Sequence, residues 1–174
     1  SRERSEHFSE APELHDIVYV SANPHISNEM IEELAGQNPF FMIYDVWKSA
    51  WDEELGTVKA EDLNEKLREV KDMHPDKRIV THFMQPHHPF LDFEFESAEI
   101  GGFHQYAEWT EDKENESWVI AEKGNLDVDE LWEAYKNNLN LVMEHVEKLV
   151  QELEGKTVVT ADHGNLVGEN GCYG

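Results

Sequence analysis

The stretch DVDELWEAYKNNLNLVMEHVEKLVQELEGKTVVTADHG, residues 127–164, decides the predicted fold, because a long amphipathic pattern leads directly into a short β-branched segment. The pattern repeats apolar residues every three or four positions, which is the period of one helix face. These residues are Leu131, Tyr135, Leu139, Val142, Val146, Leu149 and Leu153. Asp127 or Asp129 can cap the start of this helix, and Gly155 can end it. Residues 156–161, KTVVTA, then predict a strand.

The same alternation of strand and helix fills the earlier part of the chain. Apolar runs predict strands over residues 16–21, 39–46 and 78–84, and residues 27–36 and 60–73 have the caps and periodicity of helices. Alternating strands and helices are typical of a parallel sheet that is covered on both faces. We therefore expect a three-layer α/β/α fold around a mostly parallel central sheet, in a single domain over residues 1–174.

The charge of the chain excludes several classes of partner. It has 14 Lys and Arg against 38 Asp and Glu, a formal net charge of −24. This field repels nucleic-acid phosphates and anionic membranes. The hydrophobic content of 39% and the five tryptophans argue against a disordered chain. An acidic coat is typical of halophilic proteins, since molar salt shortens the Debye length to about 3 Å, although acid-rich mesophilic proteins also exist.

The sequence also bears on the compartment. Cys172 is the only cysteine, so an internal disulfide is excluded. No apolar run is long enough to cross a bilayer, and the first ten residues lack the apolar core of a secretion signal. We expect a cytoplasmic protein without a membrane segment.

Polar side chains follow three of the predicted strands, at the point where each strand ends. They are Asn23 and His25, then Gln85, His87 and His88, and finally Asp162 and His163. The carboxyl ends of parallel strands share one sheet edge, where ligands bind. Aspartate and histidine together hold zinc or manganese, and Gly164 would let the backbone turn. The alternative interpretation is that Asp162 caps a turn and His163 merely follows it.

The segment HFMQPHHPF, residues 82–90, contains three histidines. His82 lies inside the predicted strand, and we expect it to be a hydrogen-bonded histidine of the core. His87 and His88 lie between two prolines that stiffen the loop. A neutral imidazole there could bind a metal, and a protonated one could bind a sulfate or phosphate oxygen. Loop histidines without a function are also common.

Several common enzyme motifs are absent from the sequence. It has no GxxxxGK[ST] loop and no GxGxxG after a strand, so nucleotide binding of those kinds is unsupported. It also lacks the GxSxG motif of the usual esterases.

The run YKNNLNLVMEHVEKLVQELEGKTVVTADHGNLVGE, residues 135–169, resembles the C-terminal core of the sulfatase-like branch of the alkaline phosphatase superfamily. The earlier QPHHPF, residues 85–90, is similar to the Pro-His-x-Pro loop of that branch. The resemblance implies an alkaline-phosphatase-like core that hydrolyses or transfers a sulfate or phosphate ester of a small molecule or glycan. It implies that Asp162 and His163 bind one divalent metal ion (Mn, Ca, Mg or Zn) and that His87 contacts the substrate.

The sequence departs from the family before its first strand. The family takes its nucleophile and its first acidic metal ligand from a preceding segment, but only sixteen residues precede Ile17, and they contain no Cys-x-Pro-Ser-Arg. No Asp-x-x-x-His for a second zinc is present either. We expect a fragment of a longer enzyme that is inactive alone, or a reduced relative. The alternative function is a non-catalytic acidic binding or interaction domain with the same fold.

Overall fold

The computed structural model of the protein describes residues 12–96 and 117–173. The chain divides into two compact units, residues 1–84 and residues 85–174, and each is described by itself.

The first unit is mixed α/β. After a 3-10 turn at Pro12–Asp16, its elements in chain order are β1 (Ile17–Ser21), α1 (Asn28–Ala35), β2 (Met42–Asp45), α2 (Trp47–Ala50), β3 (Trp51–Asp52), β4 (Thr57–Val58), α3 (Ala60–Met73) and β5 (Arg78–His82). β3 and β4 form a short antiparallel pair. The predicted strands at residues 16–21, 39–46 and 78–84 are therefore present, although each is shorter than expected and the second is shortened the most.

The main sheet of the described chain has three parallel strands in the order β2-β1-β5. Val18 of the central strand aligns with Met42 on one side and with Ile79 on the other. Val18 and Val20 are completely buried, and α3 packs beside β1 with its apolar stripe inward. That stripe consists of Leu63, Leu67 and Val70, as predicted.

The ends of α1 follow local rules that the sequence already shows. The Ser27 side chain accepts a hydrogen bond from the Met30 N–H at 3.2 Å, which satisfies one of the donors that every helix start leaves open. Gly36 ends the helix with a positive φ of 76°, a conformation that glycine adopts without a steric penalty. Both caps are therefore confirmed.

Over residues 85–96 and 117–173, the second unit contains two helices, the loop that precedes them and a C-terminal turn. α4 spans Ser117–Glu122, α5 spans Val128–Glu152, and a 3-10 turn spans Glu169–Gly171. The Asp127 carboxylate caps α5 by accepting hydrogen bonds from the N–H groups of Asp129 and Glu130. The buried core between the helices and the loop consists of Phe90, Trp118, Ala121, Leu126, Leu131 and Ala134.

The predicted fourth strand is wrong. Residues 156–161 are irregular in the structure, and no strand of the described chain pairs with them. Val158 is 72% exposed and Val159 is 56% exposed. A β-branched run forms a strand only where a neighbouring strand supplies hydrogen bonds and a packing surface, and the segment's own sequence cannot show whether that neighbour is present. The structure therefore has α/β character and a small parallel sheet.

Two details of the predicted long helix are also wrong. The predicted apolar face included Leu139, but that residue is 38% exposed. The buried row of α5 is Leu131, Ala134, Asn138, Val142, Val146 and Leu149. With 3.6 residues per turn, this row is centred on Leu131 and Leu149, with Asn138 close to the centre and Leu139 at the border of the buried face. The helix also ends at Glu152 with Leu153 as its C-cap, before the glycine at 155.

Candidate functional site

The loop that carries His87 is held in place by one buried side chain of α5. Asn138 is completely buried, and its amide NH₂ donates hydrogen bonds to the carbonyl oxygens of His87 and Pro89, both at 2.9 Å. Its Oδ1 accepts a hydrogen bond from the Leu91 N–H at 2.9 Å. Both donor hydrogens of the Asn138 amide and its carbonyl oxygen therefore form hydrogen bonds with the loop backbone.

The neighbouring Asn137 adds a further bond to the same loop. Its side-chain amide donates to the carbonyl oxygen of Leu91 at 2.9 Å. The backbone of residue 91 is therefore bonded at both its N–H and its carbonyl to two consecutive asparagines of α5. Because α5 is a rigid element, these hydrogen bonds fix the position of the loop relative to the helix.

The two histidines of the loop have different surroundings. His88 is buried, whereas His87 is exposed, although their ring centroids are only 4.2 Å apart. Burial, and then the charge of the adjacent His87, lower the pKa of His88 to about 3. His88 is therefore neutral at physiological pH and is not available as a cation for an anionic ligand. The exposed His87 is the one of the pair that a ligand in solvent can reach.

The tautomer of His87 follows from its hydrogen bond. Its Nδ1 lies 2.9 Å from the carbonyl oxygen of His88, and a carbonyl oxygen can only accept, so Nδ1 must carry the hydrogen. The other ring nitrogen, Nε2, then has the lone pair in the neutral ring and a second N–H when the ring is protonated.

Asp162 and His163 lie on an exposed, irregular segment of the second unit. The backbone N–H of His163 donates to Asp162 Oδ1 at 3.0 Å, and its Nδ1–H donates to the carbonyl oxygen of Gly164 at 3.0 Å. This second bond leaves His163 Nε2 with the lone pair, and Nε2 lies 3.6 Å from Asp162 Oδ2. A carboxylate oxygen and a ring nitrogen therefore face each other.

The bend that permits this arrangement lies at Asp162, and Gly164 does not have a positive φ. The sequence placed the turn at the glycine, so that detail is wrong. Since adjacent residues on a regular strand point to opposite faces, the irregular backbone is what allows both side chains to approach one point.

An aromatic group lies within electrostatic range of this pair. Tyr135 stacks on Trp132, with ring centroids 5.4 Å apart and planes 10° from parallel, and it meets Trp118 edge-on. Burial, and then the negative charge of Asp162, raise the pKa of the Tyr135 hydroxyl. The carboxylate is thus close enough to α5 to influence its side chains.

The polar residues after β1 belong to the first unit. Asn23 Oδ1 accepts a hydrogen bond from the His25 N–H at 2.9 Å, and Ser21 Oγ bonds the backbone of Asn23. They shape the turn that leads to α1. His82 is hydrogen-bonded to the Tyr19 hydroxyl at 2.9 Å, which confirms it as a hydrogen-bonded histidine of the sheet. The predicted convergence of the three groups relied on a fourth strand before Asp162, and that strand is absent from the described structure.

Within residues 12–96 and 117–173, no three His, Cys, Asp or Glu side chains are grouped closely enough to bind one metal ion. In the described structure, no third side chain of these types therefore joins Asp162 and His163. In that same part of the chain, no helix combines the length and apolarity needed to cross a bilayer.

Asn138 is the residue of this region that the sequence prediction missed. A signal for it exists, because position 138 lies on the row of residues 131, 134, 142 and 146, which is otherwise apolar. A polar residue in an apolar helical row must have hydrogen-bond partners when the row is buried.

Comparison with known proteins finds no matching family model, no matching curated protein and no matching solved structure.

Proposed function

We propose that this chain is the core of a metal-dependent hydrolase or transferase that acts on sulfate or phosphate esters. Asp162 and His163 would bind one divalent metal ion, and His87 would contact the substrate. The proposal keeps the three-layer, sulfatase-like architecture expected from the sequence and places the enzyme in a high-salt cytoplasm, on the strength of its charge of −24. The nucleophile and a further acidic ligand would come from a segment N-terminal to this chain.

The observation that carries the proposal is the geometry of Asp162 and His163. Two ligand atoms about 2.1 Å from a tetrahedral metal ion lie about 3.4 Å from each other, close to the 3.6 Å between Oδ2 and Nε2. The Nδ1–H of His163 donates to a backbone carbonyl, which is how metal-bound histidines are commonly oriented. The donor types, their separation and the orienting bond therefore all fit a divalent metal ion.

Such an ion would lower the pKa of a nucleophile and neutralise negative charge on the ester oxygens. His87 presents one defined nitrogen, Nε2, from a loop whose backbone is fixed by α5. The neutral His88 adds no competing charge beside it.

The test is calorimetric titration of this chain with manganese, calcium and zinc in molar potassium chloride. Asp162→Asn keeps the shape of the side chain and removes its charge, so we expect metal affinity to fall at least about tenfold. Asp72→Asn, an exposed change of the same charge on α3, is the matched control for weak binding to the acidic surface. Circular dichroism should show the same helix content in all three proteins.

Ester hydrolysis is then measured on the product of the complete reading frame, with an aryl sulfate and an aryl phosphate. Asp162→Asn should reduce metal binding and turnover together. Equal metal affinity in the parent chain and in Asp162→Asn would make Asp162 a turn residue, and the alternative function, a non-catalytic binding domain, would replace the proposal.

A further inference from the structure

We propose that Asn138 is a positioning residue that selects the tautomer of His87, and so decides which ring nitrogen meets the substrate. The inference deepens the proposed function, because it rests on the substrate-contacting role of His87. It is carried by hydrogen bonds between α5 and the loop at residues 86–91.

The bonds alternate along the loop. Asn138 binds the carbonyl oxygens of His87 and Pro89, and the carbonyl of His88, which lies between them, accepts the Nδ1–H of His87. Because Asn138 holds the carbonyls of His87 and Pro89, the orientation of the His88 carbonyl between them is also fixed. The acceptor that keeps the hydrogen on Nδ1 of His87 is therefore placed by Asn138.

The side chain of Asn138 is itself held in one position by its surroundings. It is completely buried on α5, one turn from Ala134 and Val142 in the buried row. A third carbonyl, that of Pro86, lies 3.4 Å from its Nδ2 and shares the same donor group. Both donor hydrogens and the acceptor are committed to the loop, so the amide has one orientation that satisfies every partner.

The consequence for chemistry is a defined proton position. In water the Nε2–H form of a neutral histidine predominates, whereas the bond to the His88 carbonyl requires Nδ1–H. With Nδ1–H fixed, the neutral ring can accept a proton only at Nε2, and the protonated ring can donate from Nε2 to an anionic oxygen. Without Asn138 we expect the ring to revert to the tautomer it prefers in water, so its lone pair would move to Nδ1.

The test reads the tautomer directly, by long-range ¹H–¹⁵N correlation spectroscopy of the ring nitrogens of His87, assigned with His87→Gln. In the unaltered chain we expect Nδ1 to carry the hydrogen at a pH where the ring is neutral. An Nε2–H form there would overturn the inference without the need for any variant.

Two substitutions at Asn138 then distinguish the loss of its hydrogen bonds to the loop from a general loosening of the structure. Asn138→Leu keeps the volume and removes every bond to the loop, and Asn138→Asp keeps the acceptor for Leu91 but turns a carboxylate toward the carbonyls. In both variants we expect the hydrogen of His87 to move to Nε2. Asn140→Leu, at an exposed asparagine of the same helix, should leave the tautomer unchanged.

Retention of Nδ1–H in a folded Asn138 variant would overturn the inference, and so would an equal change in Asn140→Leu. The readout is independent of metal binding. Failure of this test leaves the Asp162 titration unaffected, and failure of that titration leaves the tautomer result standing as a property of the loop.

Discussion

Leu131 and Leu139 lie on the same helix, and we expect their replacement by alanine to have very different effects on stability. Leu131 is completely buried in the core of the second unit, whereas Leu139 is 38% exposed. Leu→Ala removes about three methyl or methylene groups, each worth about 0.8 kcal/mol when buried. At Leu131 this gives about 2.4 kcal/mol, and the cavity left in the core raises the expected loss to about 3–5 kcal/mol.

At Leu139 water fills the space that the side chain leaves, so the cavity term is absent and only part of the transfer term is lost. We expect a loss of about 1 kcal/mol. The measurement is urea unfolding in molar potassium chloride, followed by far-UV circular dichroism, for both variants and the parent chain. Losses at the two positions that agree within about 0.5 kcal/mol would show that the buried face of α5 passes through residue 139, as the apolar spacing first predicted.

Three further predictions concern charge, pH and backbone geometry. Because the net charge is −24, the melting temperature should rise from low salt to molar potassium chloride, and a flat or falling curve would contradict the assignment to a salty cytoplasm. In the folded protein the pKa of His88 is lowered to about 3, so below pH 6.5 this side chain takes up a proton when the protein unfolds. Its contribution to the free energy of unfolding is therefore fully present above pH 6.5 and is lost as the pH falls toward 3. The free energy of unfolding then falls by up to about 1.4 kcal/mol per pH unit. From about pH 6 to 4.5 it should fall less steeply in His88→Gln than in the parent chain. Parallel curves for the two proteins would contradict the burial of His88. Gly168 has a φ of 104°, and a Cβ there would lie 3.0 Å from the Tyr173 hydroxyl oxygen, so Gly168→Ala should cost about 1–2 kcal/mol locally and speed hydrogen exchange at the amides of Gly168 and Cys172. Unchanged exchange would show that the turn accepts a side chain.

Elements whose signals are local could be predicted from the sequence. The caps of α1 at Ser27 and Gly36 depend on residues within a few positions, and so does the periodicity that buries Leu63 and Val70 in α3. The central strand β1 has an apolar run that is buried on both faces, which its composition already indicates.

Features that depend on distant partners could not be predicted in the same way. The KTVVTA segment has the composition of a strand, but strand formation depends on a neighbour elsewhere in the chain. Asn138 was not singled out from the sequence, because its hydrogen-bond partners lie about fifty residues away in the chain. The sequence also placed His87 and His88 side by side without indicating which ring is buried.

The exposed valines at 158 and 159 give salt a second and opposite effect on this protein. Apolar β-branched segments of different molecules can pair with each other when the molecules approach closely. At about 0.1 M salt the repulsion between acidic surfaces extends roughly 10 Å, but in molar salt it extends only about 3 Å. The same screening that we expect to stabilise each folded molecule would therefore remove the barrier between molecules, so colloidal solubility should fall at salt concentrations where thermal stability is still rising.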